Sequence, residues 1–488
     1  MNKRVVIIGA GFSGLSAAAF LAREGFEVSV LEKNSTPGGR ARKFSAKGFT
    51  FDMGPSWYWM PDVMDNFFAA FGRKTSDYFG LQRLDPSYRV YFGKDDFVEI
   101  PSNPDETIAL FESIEKGAGT KLEQFLKEAE KKYVIGINEF ATKPSHSIME
   151  FMEWRLVKHL FAMHLFRSFH SHVARYFKNP RLHRLLEFPI LFLGGTGETT
   201  PALYSLMNYG DLKLGTWYPM GGMYELVDAM HKLAIEMGAV FHFETEAKEF
   251  EINHGEVKAV ITDKGRFEAD YVIGAGDYHF IEQNLVPEKY RMYTESYWKK
   301  RVMSPGSLIF YIGLDKRLEG FRHHTLLFDT NFDTHAAEIY KNPRWPSDPA
   351  LYVSVTSKTD PSAAPEGQEN LMVLIPVATG LDDTEEMREH YFDVVMNRLE
   401  NISGQGIREH VVYKRSYAHN DFISDYHAFK GNAYGLANTL MQTAFLKPRL
   451  KSRKLKNLYF SGQLTVPGPG VPPAIMSGKI AAEEILKL

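Results

Sequence analysis

Residues 9–14 read Gly9-Ala10-Gly11-Phe12-Ser13-Gly14. The spacing is G-x-G-x-x-G, and the chemistry it suits is the holding of a pyrophosphate. Gly9 permits a tight turn, Gly11 lets the backbone approach the phosphates, and Gly14 lets a helix pack closely on a strand. The phosphates would sit at a helix N-terminus, where free N–H groups and the helix dipole favour anions. Glu32 stands eighteen residues beyond Gly14. It is placed to accept hydrogen bonds from a ribose hydroxyl, and its charge disfavours the 2′-phosphate of NADP. The motif alone does not separate NAD from FAD. A second stretch of interest is GQLTVPGPGVPPAIMSGK, residues 462–479. It crowds glycine and proline ahead of a helix rich in small residues, and so builds another helix N-terminus far from the first. No catalytic triad, acid–base carboxylate pair or metal cluster stands out beside these.

The elements that must position the glycines are legible around them. RVVIIG, residues 4–9, reads as a buried parallel strand. LSAAAFLAREG reads as a helix closing at Gly25, and EVSVLE as a second strand ending at Glu32. Strand, glycine turn, helix, strand and acid in register make a βαβ dinucleotide-binding unit. The last helix has its own strand, NLYFSG at 457–462. Between them Gln463 to Pro473 reads as a rigid turn, with the helix from Ala474.

Composition limits the function classes. A chain of 488 residues implies two or three domains. Its net charge of −3 makes no case for a nucleic-acid partner. With no cysteine, disulfides, thiolate chemistry and cysteinyl flavin attachment are excluded. Aromatic residues reach 14%, which suits a pocket for an apolar ligand. The N-terminal run lacks a signal-peptide cleavage site, and no apolar run is long enough to span a bilayer. The expected location is the cytoplasm.

Beyond Glu32 the sequence resembles a known group. Gly38-Gly39-Arg40 and then GFTFDMGP at 48–55 are similar to the extended signature of the FAD-dependent amine oxidase and phytoene desaturase superfamily. GTWYPMGGMYELVDAM at 215–230 resembles a further stretch of the phytoene desaturases, and 457–482 resembles the C-terminal FAD motif of carotenoid desaturases. The resemblance spans nearly the whole chain and is thin at 100–150 and 320–450. It implies an α/β fold: a Rossmann-like FAD-binding domain from 1–85, 215–285 and 450–488, a sheet-based substrate domain from 286–449 with 86–99, and a helical membrane-associating subdomain over 100–200.

The resemblance also implies a non-covalent FAD. Its holders would be Gly9, Gly11, Phe12, Ser13, Gly14, Glu32, Lys33, Gly39, Arg40, Pro55, Ser56, Ala247, Gly276, Gly462, Gln463, Gly470, Val471 and Pro472. Arg40 would approach the pyrophosphate, and the backbone of Ala247 the adenine. Gln463 stands where the wider superfamily often has an acid. Arg167 and Asp277 are the implied catalytic candidates. The implied reaction is desaturation of a long apolar polyene, phytoene and its partly desaturated products, by hydride transfer to flavin N5. Quinone or oxygen would be the electron acceptor. Desaturation of a later carotenoid at its 3,4 bond, or flavin-dependent carotenoid isomerisation, would carry the same motifs.

The middle of the chain adds one independent signal. Residues 154–186 hold seven Lys or Arg and five His but no Asp or Glu, with large apolar residues between. Such a stretch suits contact with an anionic membrane surface, peripheral on the inner face of the cell membrane. His159, His164, His170 and His172 have neither metal-ligand spacing nor an acidic neighbour, so they read as surface histidines. Residues 106–140 read as amphipathic helices on a solvent face.

Overall fold

A computed structural model describes residues 3–147, 150, 167–191 and 194–487. Arg4–Ile8 is the central strand of a five-stranded parallel sheet. Tyr271–Gly274 and then Leu458–Phe460 pair on one side, Glu27–Leu31 and then Val240–His242 on the other. The strands come from both ends and the middle of the sequence. Both faces of the central strand are buried, which explains its unbroken apolar run. Val5 and Ile7 face the helices Phe12–Arg23, Tyr224–Glu236 and Val471–Leu486. Val6 and Ile8 face an antiparallel meander of Ala247–Asn253, Glu256–Thr262 and Gly265–Glu268. Its first turn is His254-Gly255, both with positive φ as a two-residue hairpin demands. Its second is Asp263-Lys264, one residue earlier than the expected Lys264-Gly265, because Gly265 pairs with Thr262.

A seven-stranded mixed sheet forms the second layer. Its order is Val411–Tyr417, Gly306–Leu314, Glu369–Val377, Leu351–Ser354, His324–Leu327, Tyr88–Gly93 and Asp96–Ile100. Alternate residues divide between its faces. Leu308, Phe310 and Ile312 pack with Val395, Met396 and Leu399 of the helix Glu385–Ser403. Ile309, Tyr352 and Leu374 turn the other way. A helical block holds Pro104–Ile114, Ala118–Ile135, Phe169–Val173, Pro180–Leu191 and Leu206–Leu212. Among the described residues no helix is long and apolar enough to cross a membrane.

Three sequence expectations change here. Residues 106–140 are not merely a solvent face: Phe111, Leu122, Phe125 and Tyr133 are buried. Of the basic stretch 154–186, residues 154–166 lie outside the described residues. In the described remainder Phe169, Val173, Phe177, Leu182 and Leu185 are buried, while Arg167, Arg175, Lys178 and Arg181 are exposed and keep the basic face outward. His172 is fully buried rather than on the surface, and it faces Glu128 from a distant helix. Spacing along the chain sees only near neighbours, and the acids come from elsewhere. The C-terminal helix begins at Val471, not Ala474, with Pro472 and Pro473 in its first turn. There proline loses no hydrogen bond and its fixed φ is already helical.

The first and last helices cross without side chains between them. A Cβ on Gly478 would overlap the Ser13 carbonyl oxygen, and one on Gly14 would overlap the Gly9 carbonyl. The Ser16 hydroxyl donates to the Ile475 carbonyl at 2.8 Å across the same crossing. Gly478→Ala is therefore expected to cost about 1–3 kcal/mol of stability by forcing the helices apart. Thermal unfolding of the variant beside the parent measures it.

Candidate functional site

The glycine turn and the acid are joined directly. Glu32 is buried and accepts from the Ala10 N–H at 2.9 Å, the Asn34 N–H at 2.9 Å and the Asn34 side-chain amide at 2.8 Å. A carboxylate has about four lone-pair directions, so one remains for a ribose hydroxyl. The Gly38 N–H donates to the Ala10 carbonyl at 2.8 Å, which docks the second glycine pair on the first. Gly11 caps the helix with φ −76°, and a Cβ there would meet nothing within 4 Å. That open space is the approach a pyrophosphate needs.

Arg40 completes the polar end. Its guanidinium donates to the Asn432 carbonyl at 3.3 Å and lies over the Tyr426 ring, while its buried Nε has no hydrogen-bond partner. Burial pushes the Arg40 pKa down, opposed by the charge of Asp277. An anion beside Arg40 would satisfy the orphaned Nε and offset the cost of burying the guanidinium charge. Glycine turn, ribose acceptor and buried arginine thus fit a dinucleotide.

The C-terminal stretch meets this cradle. The Gly462 N–H donates to the Ser477 hydroxyl at 2.9 Å, which donates to the Val466 carbonyl at 2.6 Å. Gly470 precedes the helix at φ 114° and lines the cavity with Val471, whose N–H is the one first-turn donor, since Pro472 and Pro473 have none and the Ala474 N–H is bonded to the Gly470 carbonyl. Gln463 donates to the Asn432 side chain at 2.8 Å, a partner that the sequence did not name. Asp277 is buried, its two oxygens accepting from the N–H groups of Phe280 at 3.0 Å and Phe429 at 3.1 Å. It ties the loop carrying Asn432 to the end of the strand Tyr271–Gly274.

Glu32, Gly11, Arg40, Gln463 and Gly470 line one cavity of about 810 Å³. Every expected cofactor residue reaches it except Gly14, which sits behind it as the helix–strand contact. Asp277 also lines it. Arg167 does not: it is exposed, and its carbonyl accepts from the Ala202 N–H at 2.8 Å. The far wall is apolar and was not legible in the sequence. Trp57, Trp59, Met207, Ile309, Leu374 and Tyr434 arrive from five separate segments. Behind them a polar chain runs inward. Tyr352 donates to Ser56 at 2.8 Å and meets His324 Nδ1 at 2.7 Å, and Trp57 stacks on His324 at 4.0 Å. Burial holds the His324 imidazole well below its usual range, so it is neutral.

Lys447 is also buried, against Asn438 at 2.9 Å and beside Gly468, both of which belong to the cavity wall except for the lysine itself. Burial pushes its pKa down from 10.5 to about 7.

Fold and site together define a two-layer oxidoreductase built on a dinucleotide-binding sheet. The family model for flavin-containing amine oxidoreductases matches residues 12–486, and the chain belongs to that family. It is a flavin-dependent oxidoreductase. It is 39% identical over 484 residues to a carotenoid 3,4-desaturase of Haloarcula japonica, covering 99% of this chain and 98% of the relative. It is 30% identical over 493 residues to a zeta-carotene-forming phytoene desaturase of Myxococcus xanthus, covering 99% and 94%. A 4,4′-diapophytoene desaturase of Staphylococcus aureus is 31% identical over 498 residues, covering 99% of each. Among solved structures, an oxidoreductase from Methanosarcina mazei has a TM-score of 0.63 at 18% identity, covering 99% of this chain and 100% of that one. Putrescine oxidase bound to putrescine has a TM-score of 0.62 at 14% identity, covering 100% of each. These two speak to the fold.

Two outcomes follow from the site. Gly11→Val is expected to fold, since its backbone is extended and its Cβ meets open space, but to lose flavin affinity by about 100-fold or more. Flavin absorbance retained after desalting checks it, and a stoichiometrically yellow variant would contradict the assignment. Between pH 7 and 10.5 the unfolded chain holds a proton that folded Lys447 lacks. Stability therefore falls as pH falls through that window. Lys447→Met is expected to flatten this slope and to stabilise the fold near neutral pH by about 2–4 kcal/mol. Urea midpoints across the window measure both effects.

Proposed function

We propose that this chain is an FAD-dependent carotenoid desaturase, and that its substrate is a later carotenoid, hydroxylated or monocyclic, dehydrogenated at its 3,4 bond. The observation that carries the reading is the continuity of one cavity from the dinucleotide cradle to a wall of aromatic and aliphatic side chains. A polyene needs such a wall, and hydride removal needs it beside the cofactor. The 3,4 bond is put first because the relative with that name is 39% identical, against 30–31% for the phytoene and diapophytoene desaturases. Phytoene and its partly desaturated products are the second reading, favoured by the names of those relatives.

Bound FAD would supply the hydride acceptor. The chain supplies the rest. Gly11, the first helix N-terminus and Arg40 hold the pyrophosphate, with Glu32 on the ribose and Ala247 and Lys33 at the adenine end. At the opposite end the start of the last helix, with the Val471 N–H and the helix dipole, would favour negative charge. With no cysteine in the chain, a cysteinyl flavin bond is impossible, which supports a non-covalently held FAD. The apolar wall orients the polyene and excludes water, which is much of what such a reaction asks of a protein. Ser56, Tyr352 and His324 form a neutral hydroxyl–imidazole chain that fixes the wall beside Trp57, and a proton released from the polyene cation would pass to water. Asp277 is a positioning residue in this scheme, since both its oxygens are engaged by backbone amides.

Part of the cavity rim is exposed and apolar: Met441 is 71% exposed, with Phe445 and Leu446 beside it. This supports entry of the substrate from a membrane surface, with quinone or oxygen removing the electrons afterwards. Purified protein incubated with FAD, liposomes and individual carotenoids tests the whole reading. A longer-wavelength product from a hydroxylated or monocyclic carotene is expected. Conversion of phytoene alone would select the second reading, and no spectral change with any carotenoid would overturn both.

A further inference from the structure

A cluster of nitrogen and oxygen donors lies in the helical block, away from the cavity's cofactor end. His183 and Glu187 share one face of the helix Pro180–Leu191, four residues apart. His170, on the short helix Phe169–Val173, faces the same carboxylate. His170 Nδ1 lies 2.9 Å from a Glu187 carboxylate oxygen, and His183 Nδ1 lies 3.8 Å from it. One donor atom from each of the three residues lies within 4.8 Å of the others. Nitrogen and oxygen ligands of one tetrahedral zinc ion are roughly 3.3 Å apart, so small side-chain adjustments would gather this set around a single ion.

The far side of each imidazole strengthens the case. His183 Nε2 is 2.9 Å from the Phe177 carbonyl, to which it must donate. Its Nδ1 is thereby turned inward, toward the Glu187 oxygen that His170 Nδ1 also approaches. His170 Nε2 points to Glu198 at 3.8 Å, so its outer nitrogen has a carboxylate close by. Metal-bound histidines regularly hold their outer N–H against a carbonyl or carboxylate in this way. Glu187 is nearly buried, so its carboxylate is largely screened from bulk water at the centre of the cluster. The nearby Arg184 is drawn off by Asp333 at 3.3 Å and leaves the cluster to the imidazoles.

We propose that His170, His183 and Glu187 form a site for a divalent zinc-type ion, with Glu198 close enough to the outer nitrogen of His170 to orient it. Two imidazoles and a carboxylate are the borderline donors that such ions prefer, and they are a poor set for calcium or magnesium. The ion would clip the helix Pro180–Leu191 to the helix Phe169–Val173 and to the turn at 196–199. Pro189 of the clipped helix lines the cavity, so the site would brace one of its walls. Sequence spacing argued against a metal among the histidines because His183 and Glu187 approach His170 only through the fold.

Full-length protein stripped with a chelator and titrated with Zn²⁺ by calorimetry tests the site. One equivalent per chain is expected, with a rise in the thermal midpoint. His183→Ala and Glu187→Gln should each weaken binding by about 100-fold, while His410→Ala, on a distant surface, should leave it unchanged. Co²⁺ in place of zinc should give visible bands of a nitrogen- and oxygen-ligated ion that vanish in His183→Ala. Unchanged zinc affinity in folded His183→Ala and Glu187→Gln would overturn the proposal. Should those variants fail to fold, X-ray absorption of the zinc-loaded parent decides. Imidazole ligation upholds the site, and ligation without imidazole overturns it.

Discussion

The architecture depends on a steric constraint between two helices. Phe12–Arg23 and Val471–Leu486 cross where Gly478 meets the Ser13 carbonyl, a contact that leaves no room for a Cβ. A second contact of the same kind, Gly14 on Gly9, sets the first helix on its strand. Together they bring two helix starts, at Gly11 and at Gly470, to the same cavity. The first start offers several backbone N–H groups and the second the Val471 N–H with the positive end of its helix dipole. An anionic cofactor with a second electron-accepting end suits such a pair of termini, since each end of the molecule then finds donors. The sheet behind them supplies rigidity, and the closeness of the crossing supplies the geometry.

The parts of the fold shaped to hold a dinucleotide were legible because they leave a backbone signature. Glycines at 9, 11 and 14, the acid at 32 and the Gly-Pro run near the end are each demanded by close approach or by φ. The strands Arg4–Ile8 and Leu458–Phe460 announced themselves by unbroken apolar runs, the mark of burial on both faces. Errors fell where local spacing was asked to report on distant neighbours. Pro472 and Pro473 resembled a turn but form the first helical turn, where proline is tolerated. His172 resembled a surface residue until Glu128 of another helix approached it. Arg167, taken from family likeness alone, lies on the outside of the helical block.

The apolar wall left almost no trace in the sequence. Trp57, Ile309, Leu374 and Tyr434 are ordinary strand or loop residues in their own segments, and nothing in their spacing says that they face one space. Their shared task arises from alternation in the second sheet, which sends Ile309 and Leu374 to one face and Phe310 and Val373 to the other. The chain Ser56–Tyr352–His324 is similarly assembled from three separate segments. A site that works by shape rather than by a charged constellation offers few residue types to recognise. The motifs therefore locate the cofactor end far better than the substrate end.

The strand order has a consequence for how the protein is made. The central sheet is filled from residues 4–8, 27–31, 240–242, 271–274 and 458–460, so its last strand and the helix after it are synthesised late. Contacts of such long sequence separation form slowly. Until the ribosome has delivered the C-terminal helix, Ser13 and Ser16 of the first helix have nothing to pack against, and one side of the cradle stays open. Cofactor capture therefore falls at the end of folding rather than during translation. A chain truncated in its last thirty residues would lose its outer sheet strand and the helix that closes the nucleotide fold, with nearly all of its sequence still in place.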